Sequence, residues 1–307
     1  MRDRCVDLLA PSITSSANPV IVDATLGLGG HTEALLTRFE NLTVIGIDRD
    51  KSALEKASAR LAPFGDRLKT AHCVFDEITE VVQSFGFTHI NGAFFDLGVS
   101  SMQLDIPERG FSYSQQAPLD MRMDQSNPLT ASQILNTYSH GQLAKILQNY
   151  GEEKFASKIA ENIIKARSAG ELNTTKDLAQ IVKDSIPAPA RRTGGNPAKR
   201  TFQAIRIEVN QELATLERAI PAALAALAIG GRLVVMSYQS LEDRIVKNFF
   251  TQATKSMTPV ALPVELPNSA ASYRLLFNGS AVADAKEQES NPRSQSMRLR
   301  AIERLSA

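Results

Sequence analysis

Pro19-Val-Ile-Val-Asp-Ala-Thr-Leu-Gly-Leu-Gly-Gly-His31 is the stretch on which the fold turns. Its β-branched run, Val20 to Val22, reads as a buried strand. The strand runs straight into a glycine turn, Gly27 to Gly30, and a helical pattern follows with Ala34, Leu35 and Phe39. Strand, glycine turn and helix in that order make the first crossover of a nucleotide-type α/β sheet. Without Cβ atoms, such a turn lets the backbone approach a ligand closely.

Outward from this unit the alternation repeats. Leu42–Asp48, Leu68–Phe75 and Ile90–Asp96 read as further strands, with helices over Lys51–Leu61 and Ile78–Phe85. Near-continuous apolar strands separated by helices indicate a parallel sheet covered on both faces. Right-handed crossovers then gather the strand carboxyl ends along one edge, where ligands bind. After Gly98 the pattern changes. Residues 99–128 are loop-like, and no strand pattern occurs between 104 and 200. Helical stripes take over: Leu143, Ile146, Leu147 and Tyr150; Phe155, Ile159 and Ile163; then Leu178, Ile181 and Val182 after a cap at Thr174 or Thr175. Residues 185–200 form a Pro/Gly linker. A long helix follows through Phe202, Ile205, Val209, Leu213, Leu216 and Ile220, with a kink or break predicted at Pro221 and a stop at Gly230-Gly231. Arg232–Tyr238, Tyr273–Phe277 and Met297–Ile302 complete seven strands, and residues 279–294 are predicted to be a mobile polar loop. The predicted fold is α/β. A mostly parallel, Rossmann-like core spans residues 1–103 and 201–307, with an all-helical insertion at 104–200 on the substrate side.

Composition narrows the function. The 307 residues carry a net charge of +1, so any nucleic-acid surface must be local. Cys5 and Cys73 are the only cysteines, with no CxxC pair and no histidine cluster. Neither a disulfide nor a metal site is expected, which fits a reducing cytoplasm. Asp3 and Asp7 argue against a signal peptide, and the longest apolar run, Ala219 to Ile229, is too short to span a bilayer.

The glycine turn fails as a dinucleotide fingerprint, because His31 and Thr32 follow Gly30 where a third small residue is needed. An acid at the strand end, Asp23, followed by Gly-x-Gly has instead the usual shape of the S-adenosylmethionine loop in Rossmann-like methyltransferases. Asp48 closes the second strand, where a carboxylate can accept from both ribose hydroxyls. Asp50 reads as a helix N-cap. Phe75 ends the third strand at the depth where an adenine would stack. Asp96 ends the fourth, and a carboxylate after an apolar run is costly unless it finds partners. C5 methylation of a pyrimidine needs a cysteine nucleophile at the fourth-strand loop, and both cysteines lie elsewhere. N-methylation of an exocyclic amine needs only acceptors that hold the amine hydrogens while the lone pair faces the methyl group. Asp96 is the candidate for that catalytic role. Arg191, Arg192, Lys199 and Arg200, in a linker stretch with no acid, are candidate contacts to an RNA backbone.

At this point the chain resembles a known family over nearly its whole length: the bacterial small-subunit rRNA cytosine-N4 methyltransferases. The resemblance is carried by Asp23-Ala-Thr-Leu-Gly-Leu-Gly-Gly-His31, Gly46-Ile-Asp-Arg-Asp50, Asp96-Leu-Gly-Val-Ser-Ser-Met-Gln-Leu-Asp105, Arg109-Gly-Phe-Ser-Tyr113 and Pro118-Leu-Asp-Met-Arg-Met-Asp124. Tyr150-Gly-Glu-Glu-Lys-Phe155, Thr201-Phe-Gln-Ala-Ile-Arg-Ile207, Ser240-Leu-Glu-Asp-Arg244 and Asn291-Pro-Arg-Ser294 extend it. It implies a class I methyltransferase core with an inserted helical domain, S-adenosylmethionine as methyl donor, and a decoding-region cytosine of 16S rRNA, within the small ribosomal subunit, as substrate. By motif the cofactor would be held by Gly29, Gly30, His31, Asp48, Phe75, Asp96 and Gln103. The chain departs from the family pattern after the fifth strand. Ser237-Tyr-Gln-Ser240 stands where Ser-Phe-His-Ser is usual, and Gln239 cannot act as a titrating base. Two rivals stay open from sequence: a methyltransferase acting on a small molecule, and a non-catalytic RNA-binding or assembly factor on the same fold.

Overall fold

The protein's structure, a computed structural model, describes residues 1–191, 196–256 and 269–306. It contains two compact units, Met1–Gly98 with Leu213–Ala307, and Val99–Glu212. In chain order the first unit starts with α1 (Arg2–Thr14), β1 (Val20–Asp23), α2 (Gly30–Arg38), β2 (Thr43–Asp48), α3 (Lys51–Leu61), β3 (Leu68–His72), α4 (Ile78–Ser84) and β4 (Ile90–Asp96). The second unit holds α5 (Ser101–Asp105), α6 (Ala131–Thr137), α7 (His140–Gly151), α8 (Ala156–Ala169), α9 (Thr175–Ser185), α10 (Ala188–Arg191) and α11 (Ala198–Asn210). Then come α12 (Glu212–Ala226), β5 (Leu227–Ser237), α13 (Ser240–Ala253), β6 (Tyr273–Leu275), α14 (Ala285–Ser290) and β7 (Arg298–Arg304).

The seven strands form one sheet in the order β3-β2-β1-β4-β5-β7-β6. Strands β1 to β5 pair in parallel, and β7 runs antiparallel to both β5 and β6. This is the Rossmann-like, mostly parallel seven-stranded sheet that the strand patterns predict. Strand side chains alternate between two buried faces. Val22, Ile45, Ala93, Phe95 and Val235 pack with Ile78 of α4, Ile220 of α12 and Phe250 of α13. Ile21, Val44, Phe94 and Val234 pack with Leu9 of α1 and Leu35 of α2. Burial on both faces is why these strands read as unbroken apolar runs.

The structure corrects several boundaries. β3 ends at His72, and Phe75 opens a 3-10 turn, Phe75–Glu77, instead of closing the strand. The helix breaks at Gln211, which caps α11 at φ 51°, and Pro221 lies inside α12. Pro221 removes one helical hydrogen bond, but Leu216, Ile220, Ala223 and Leu224 around it are buried in one core and carry the helix through. Gly230-Gly231 does not stop a helix. It lies within β5, where the register with β4 slips from Ile90↔Leu227 to Gly92↔Arg232. Gly230 adopts φ 78° there, a conformation open to glycine. β6 stops at Leu275, and the stretch expected to be a mobile loop contains α14.

In the second unit, Leu143, Ile146 and Leu147 of α7, Ile159 and Ile163 of α8, Leu178 and Val182 of α9, and Phe202, Ile205 and Val209 of α11 share one core. The stripe of α11 faces these helices, so residues up to Glu212 belong to this unit. The sequence patterns place the joins at 103/104 and 200/201; the compact units divide after Gly98 and after Glu212. Asn210, buried at the end of α11, accepts from Met123 N–H at 2.7 Å and donates to the Met121 carbonyl at 2.7 Å. Arg109, also buried, donates to the Met123 carbonyl at 2.9 Å. These bonds hold Met121 at φ 59°, unusual for a residue with a side chain. Asn210→Ala leaves several buried backbone groups unmatched and is expected to lower stability by about 2–3 kcal/mol. Urea unfolding followed by circular dichroism measures it.

Candidate functional site

The parallel strands deliver their carboxyl ends to one sheet edge, and three of those ends are acidic: Asp23 of β1, Asp48 of β2 and Asp96 of β4. The glycine turn crosses this edge. Ala24 N–H donates to the Phe94 carbonyl at 2.9 Å and Leu26 N–H to the Ile47 carbonyl at 2.9 Å, which extends the sheet's pairing into the turn. Gly29 then caps α2 at φ 78°, and a Cβ there would come within 2.7 Å of the Leu61 side chain, so only glycine fits. Gly30 is different. Its φ is not positive, and an added Cβ would meet nothing within 4 Å. The glycine leaves open space at the helix start.

Each acid is settled differently. Asp23 is buried. Its Oδ2 accepts from Thr32 Oγ1 at 2.7 Å and its Oδ1 from Thr25 N–H at 3.3 Å, so it ties the two ends of the turn together. Burial pushes its pKa up to about 6, opposed by those hydrogen bonds. Asp48 accepts from Gly27 N–H at 2.7 Å through Oδ2 and from Asp50 N–H at 2.8 Å through Oδ1. Burial raises its pKa and the same two N–H groups oppose the rise. A carboxylate has about four lone-pair sites, so Asp48 can still accept two more bonds. Asp50 caps α3, accepting from Ser52 N–H at 3.1 Å.

Asp96 has capacity of another kind. Its backbone N–H donates to Thr25 Oγ1 at 2.7 Å. Oδ1, sealed from solvent, has no partner at all, although the side chain as a whole is 31% exposed. Burial pushes the pKa up to about 7, Tyr238 pulls it down, and the charge of Asp23 pushes it up again. His31, in the first turn of α2, places Nδ1 3.9 Å from Asp96 Oδ2 and its ring 4.4 Å from that of Phe94. Burial, reinforced by the cations of the N-terminus and Arg2, lowers its pKa to about 4. The ring is therefore neutral at neutral pH and makes no ion pair with Asp96. Its Nε2 is also buried without a partner, as is Oε1 of Gln239, just beyond β5. Buried polar atoms normally find partners. Among the described residues of this unit, the orphans are Asp96 Oδ1 at the last residue of β4, His31 Nε2 in the first turn of α2 and Gln239 Oε1 just past β5. A polar ligand is the natural partner for such a set. Phe75 stands at the same edge, edge-on to Phe95 at 5.5 Å and with the Arg49 guanidinium 5.9 Å from its ring.

A sequence model of the MraW methylase family matches residues 1–305. This chain belongs to that family. A ribosomal RNA small subunit methyltransferase H from Renibacterium salmoninarum is 55% identical over 99% of this chain and 93% of its own. Proteins of the same name from Saccharopolyspora erythraea and Mycolicibacterium paratuberculosis are 53% and 55% identical, over 92% and 81% of their lengths.

For this MraW methylase family member, the residues proposed from sequence divide between the two units. Gly29, Gly30, His31, Asp48, Phe75 and Asp96 all lie at the carboxyl edge of the one sheet. Gln103 belongs to the helical unit, where its Oε1 accepts from Ser100 N–H at 3.1 Å in the cap of α5. Arg191, Lys199 and Arg200 are also in that unit, and Arg192 lies outside the described residues. Sequence reading missed Thr25 as a support of Asp96 and Tyr238 as its neighbour. The one available signal was strand register: Asp96 aligns with Met236, so the residues just past β5 stand beside it. Among the described residues, no group of three or more His, Cys, Asp or Glu side chains could hold a metal ion, and no helix is long and apolar enough to cross a membrane.

The raised pKa of Asp96 has a stability consequence. A carboxyl held above its ordinary 3.8 contributes stability that is fully present below that value and lost as pH rises toward about 7. Asp96→Asn removes this titration. The variant is expected to melt above the wild type at about pH 8, with the gain shrinking to near nothing at about pH 4; scanning calorimetry across that range tests it.

Proposed function

We propose that the protein transfers a methyl group from S-adenosyl-L-methionine to the exocyclic N4 of a cytosine in the decoding region of 16S rRNA. The observation that carries the reading is Asp96, a carboxylate fixed at the end of β4 with one oxygen lacking any partner. Membership of the MraW methylase family and relatives named as ribosomal RNA small subunit methyltransferases support the substrate class. We place the reaction in the cytoplasm and the target within the small ribosomal subunit.

The site fits this cofactor. Asp48 would accept the ribose hydroxyls with the lone pairs its backbone bonds leave free. Phe75 offers an aromatic face to adenine. The space left by Gly30, at the positive end of the α2 dipole, suits a carboxylate. A neutral His31 adds no charge against a sulfonium cation. When bound, S-adenosylmethionine supplies an electrophilic methyl group. Asp96 Oδ1 accepts one amine hydrogen of the cytosine and turns the nitrogen lone pair into line. The proton leaves to solvent once the new N–C bond has made it acidic, because Gln239 does not titrate. In the helical unit Lys199 and Arg200 are exposed and Arg191 is half-buried, and we assign them to RNA phosphates.

Two measurements bear on this. Labelled S-adenosylmethionine is incubated with undermethylated small subunits, free 16S rRNA or large subunits, and the RNA is digested to nucleosides. Label is expected in N4-methylcytidine from the small-subunit RNA; label in any other nucleoside sinks the reading. Asp96→Asn is expected to reduce transfer by about a hundredfold or more even at saturating S-adenosylmethionine. Separately, Gly30→Leu fills the open space without a clash at its Cβ. It is expected to weaken S-adenosylmethionine binding by about tenfold or more in calorimetric titration, with the melting temperature retained.

A further inference from the structure

Asp96 Oδ1 takes one hydrogen of the substrate amine in the reading above. A primary amine carries two, and the second also needs an acceptor once water is excluded. Register points to a group beside Asp96. β4 and β5 run parallel with Asp96 opposite Met236, and Leu97 N–H continues the pairing by donating to the Met236 carbonyl at 3.0 Å. One residue on, a Cβ on Gly98 would stand 3.7 Å from the ring of Tyr238. The two chain segments therefore leave the sheet side by side, and Gln239 is the next residue.

Gln239 is anchored to the start of α13 at three points. Its backbone N–H donates at 3.1 Å to Oε2 of the buried Glu242, the oxygen that also accepts from Tyr238 N–H at 2.9 Å. Its main-chain carbonyl accepts from Asp243 N–H at 3.1 Å. Its side-chain Nε2 donates to Glu242 Oε1 at 3.4 Å. A carboxylate that accepts from these groups fixes which end of the amide faces it: the NH2 turns toward Glu242 and the carbonyl Oε1 turns away. Oε1 is sealed from solvent and has no partner among the described residues, although the residue as a whole is half-buried. The helix cap makes no use of this oxygen. His31 Nε2, the other orphan of this unit, lies at the start of α2, next to the glycine turn assigned to the cofactor.

We propose that Gln239 is a specificity-determining residue: its Oε1 accepts the second hydrogen of the cytosine N4, so the site takes an unmethylated amine and rejects one that already carries a methyl group. This rests on the role given to Asp96 above. An amine conjugated to a base is planar, with both hydrogens in the plane of the ring. Acceptors on both hydrogens hold that plane against rotation and leave one face of the nitrogen open to the methyl donor. The N–C bond forms on that face, the S–C bond breaks with its electron pair left on sulfur, and one amine proton passes to solvent. A neutral amide cannot take that proton, so Gln239 orients and selects. The product keeps a single N–H. Bound again, it would satisfy one acceptor and press its methyl group against the other, leaving a buried oxygen unmatched.

Two substrates separate this role from a structural one: undermethylated small subunits, and the same subunits after exhaustive methylation by the wild type with unlabelled S-adenosylmethionine. Each is incubated with labelled S-adenosylmethionine and the wild type, Gln239→Met or Gln239→Ala, and the labelled nucleosides are quantified. Met keeps the length of the side chain and Ala opens its space; circular dichroism verifies that each variant is folded. The wild type is expected to favour the undermethylated subunits by about a hundredfold or more. Both variants are expected to lose about tenfold in rate on those subunits, the worth of one hydrogen bond, with KM for S-adenosylmethionine unchanged. Their preference is expected to narrow by about the same factor, with N4,N4-dimethylcytidine appearing among the products. A change that merely loosens the start of α13 slows both substrates alike. A preference retained in both variants, whether or not the rate falls, overturns the proposal while the wild type's N4-methylcytidine leaves the functional reading standing. A wild type that forms no N4-methylcytidine overturns both.

Discussion

Three carboxylates at one edge of one parallel sheet set the terms for the rest of the site. Asp23, Asp48 and Asp96 end β1, β2 and β4, which lie side by side. Burial raises the pKa of all three. Desolvating like charges together is unfavourable, and a fold keeps such an arrangement only if each charge finds its own answer. Asp23 is answered inside the protein, by Thr25 and Thr32, and works as a clamp on the turn. Asp48 is answered by backbone N–H groups that leave lone pairs over. Asp96 is held through its backbone N–H by Thr25, and its Oδ1 has no partner. The same residue type thus has three roles, set by what surrounds it. A ligand that binds only the folded state offsets the remaining penalty.

The glycine turn shows a similar division of labour. Gly29 is required by backbone conformation and by the Leu61 side chain pressed against it. Gly30 is required by neither, and its lack of a side chain keeps a space clear at the start of α2. His31 follows at once and is held uncharged by its surroundings, which suits a site expected to receive a cation. The helical unit is pinned by other means. Asn210 and Arg109, both buried, bond the main chain around Met121 to Met123 and hold a strained residue in place.

Much of this was legible without coordinates. Apolar runs spaced by amphipathic stretches fix a doubly covered parallel sheet, because strands buried on both faces cannot carry polar residues. The same patterning exposes Asp48 and Asp96 as the exceptions at strand ends, and glycines after β1 mark the turn. Three- and four-residue steps separate the helical segment from the sheet. The seven strands, the helical stripes and the sheet edge closed by Asp48 and Asp96 were readable at that level, whereas His31 entered only through the family resemblance. These are properties of local pattern, and local pattern is written in the order of residues.

What sequence did not reveal depends on contacts between distant residues. Gly230-Gly231 reads as a helix stop, yet pairing with β4 draws it into a strand. Pro221 reads as a break, yet the core on either side holds the helix together. That Thr25 bonds the Asp96 backbone from 71 residues away, and that Oδ1 is left alone, follow from distant strands being brought into register. Residue order alone determined which groups reach the edge of the sheet, because period and polarity place them there. Only the tertiary structure decided which of them is left with an unmet hydrogen bond, because that depends on neighbours the chain supplies from far away.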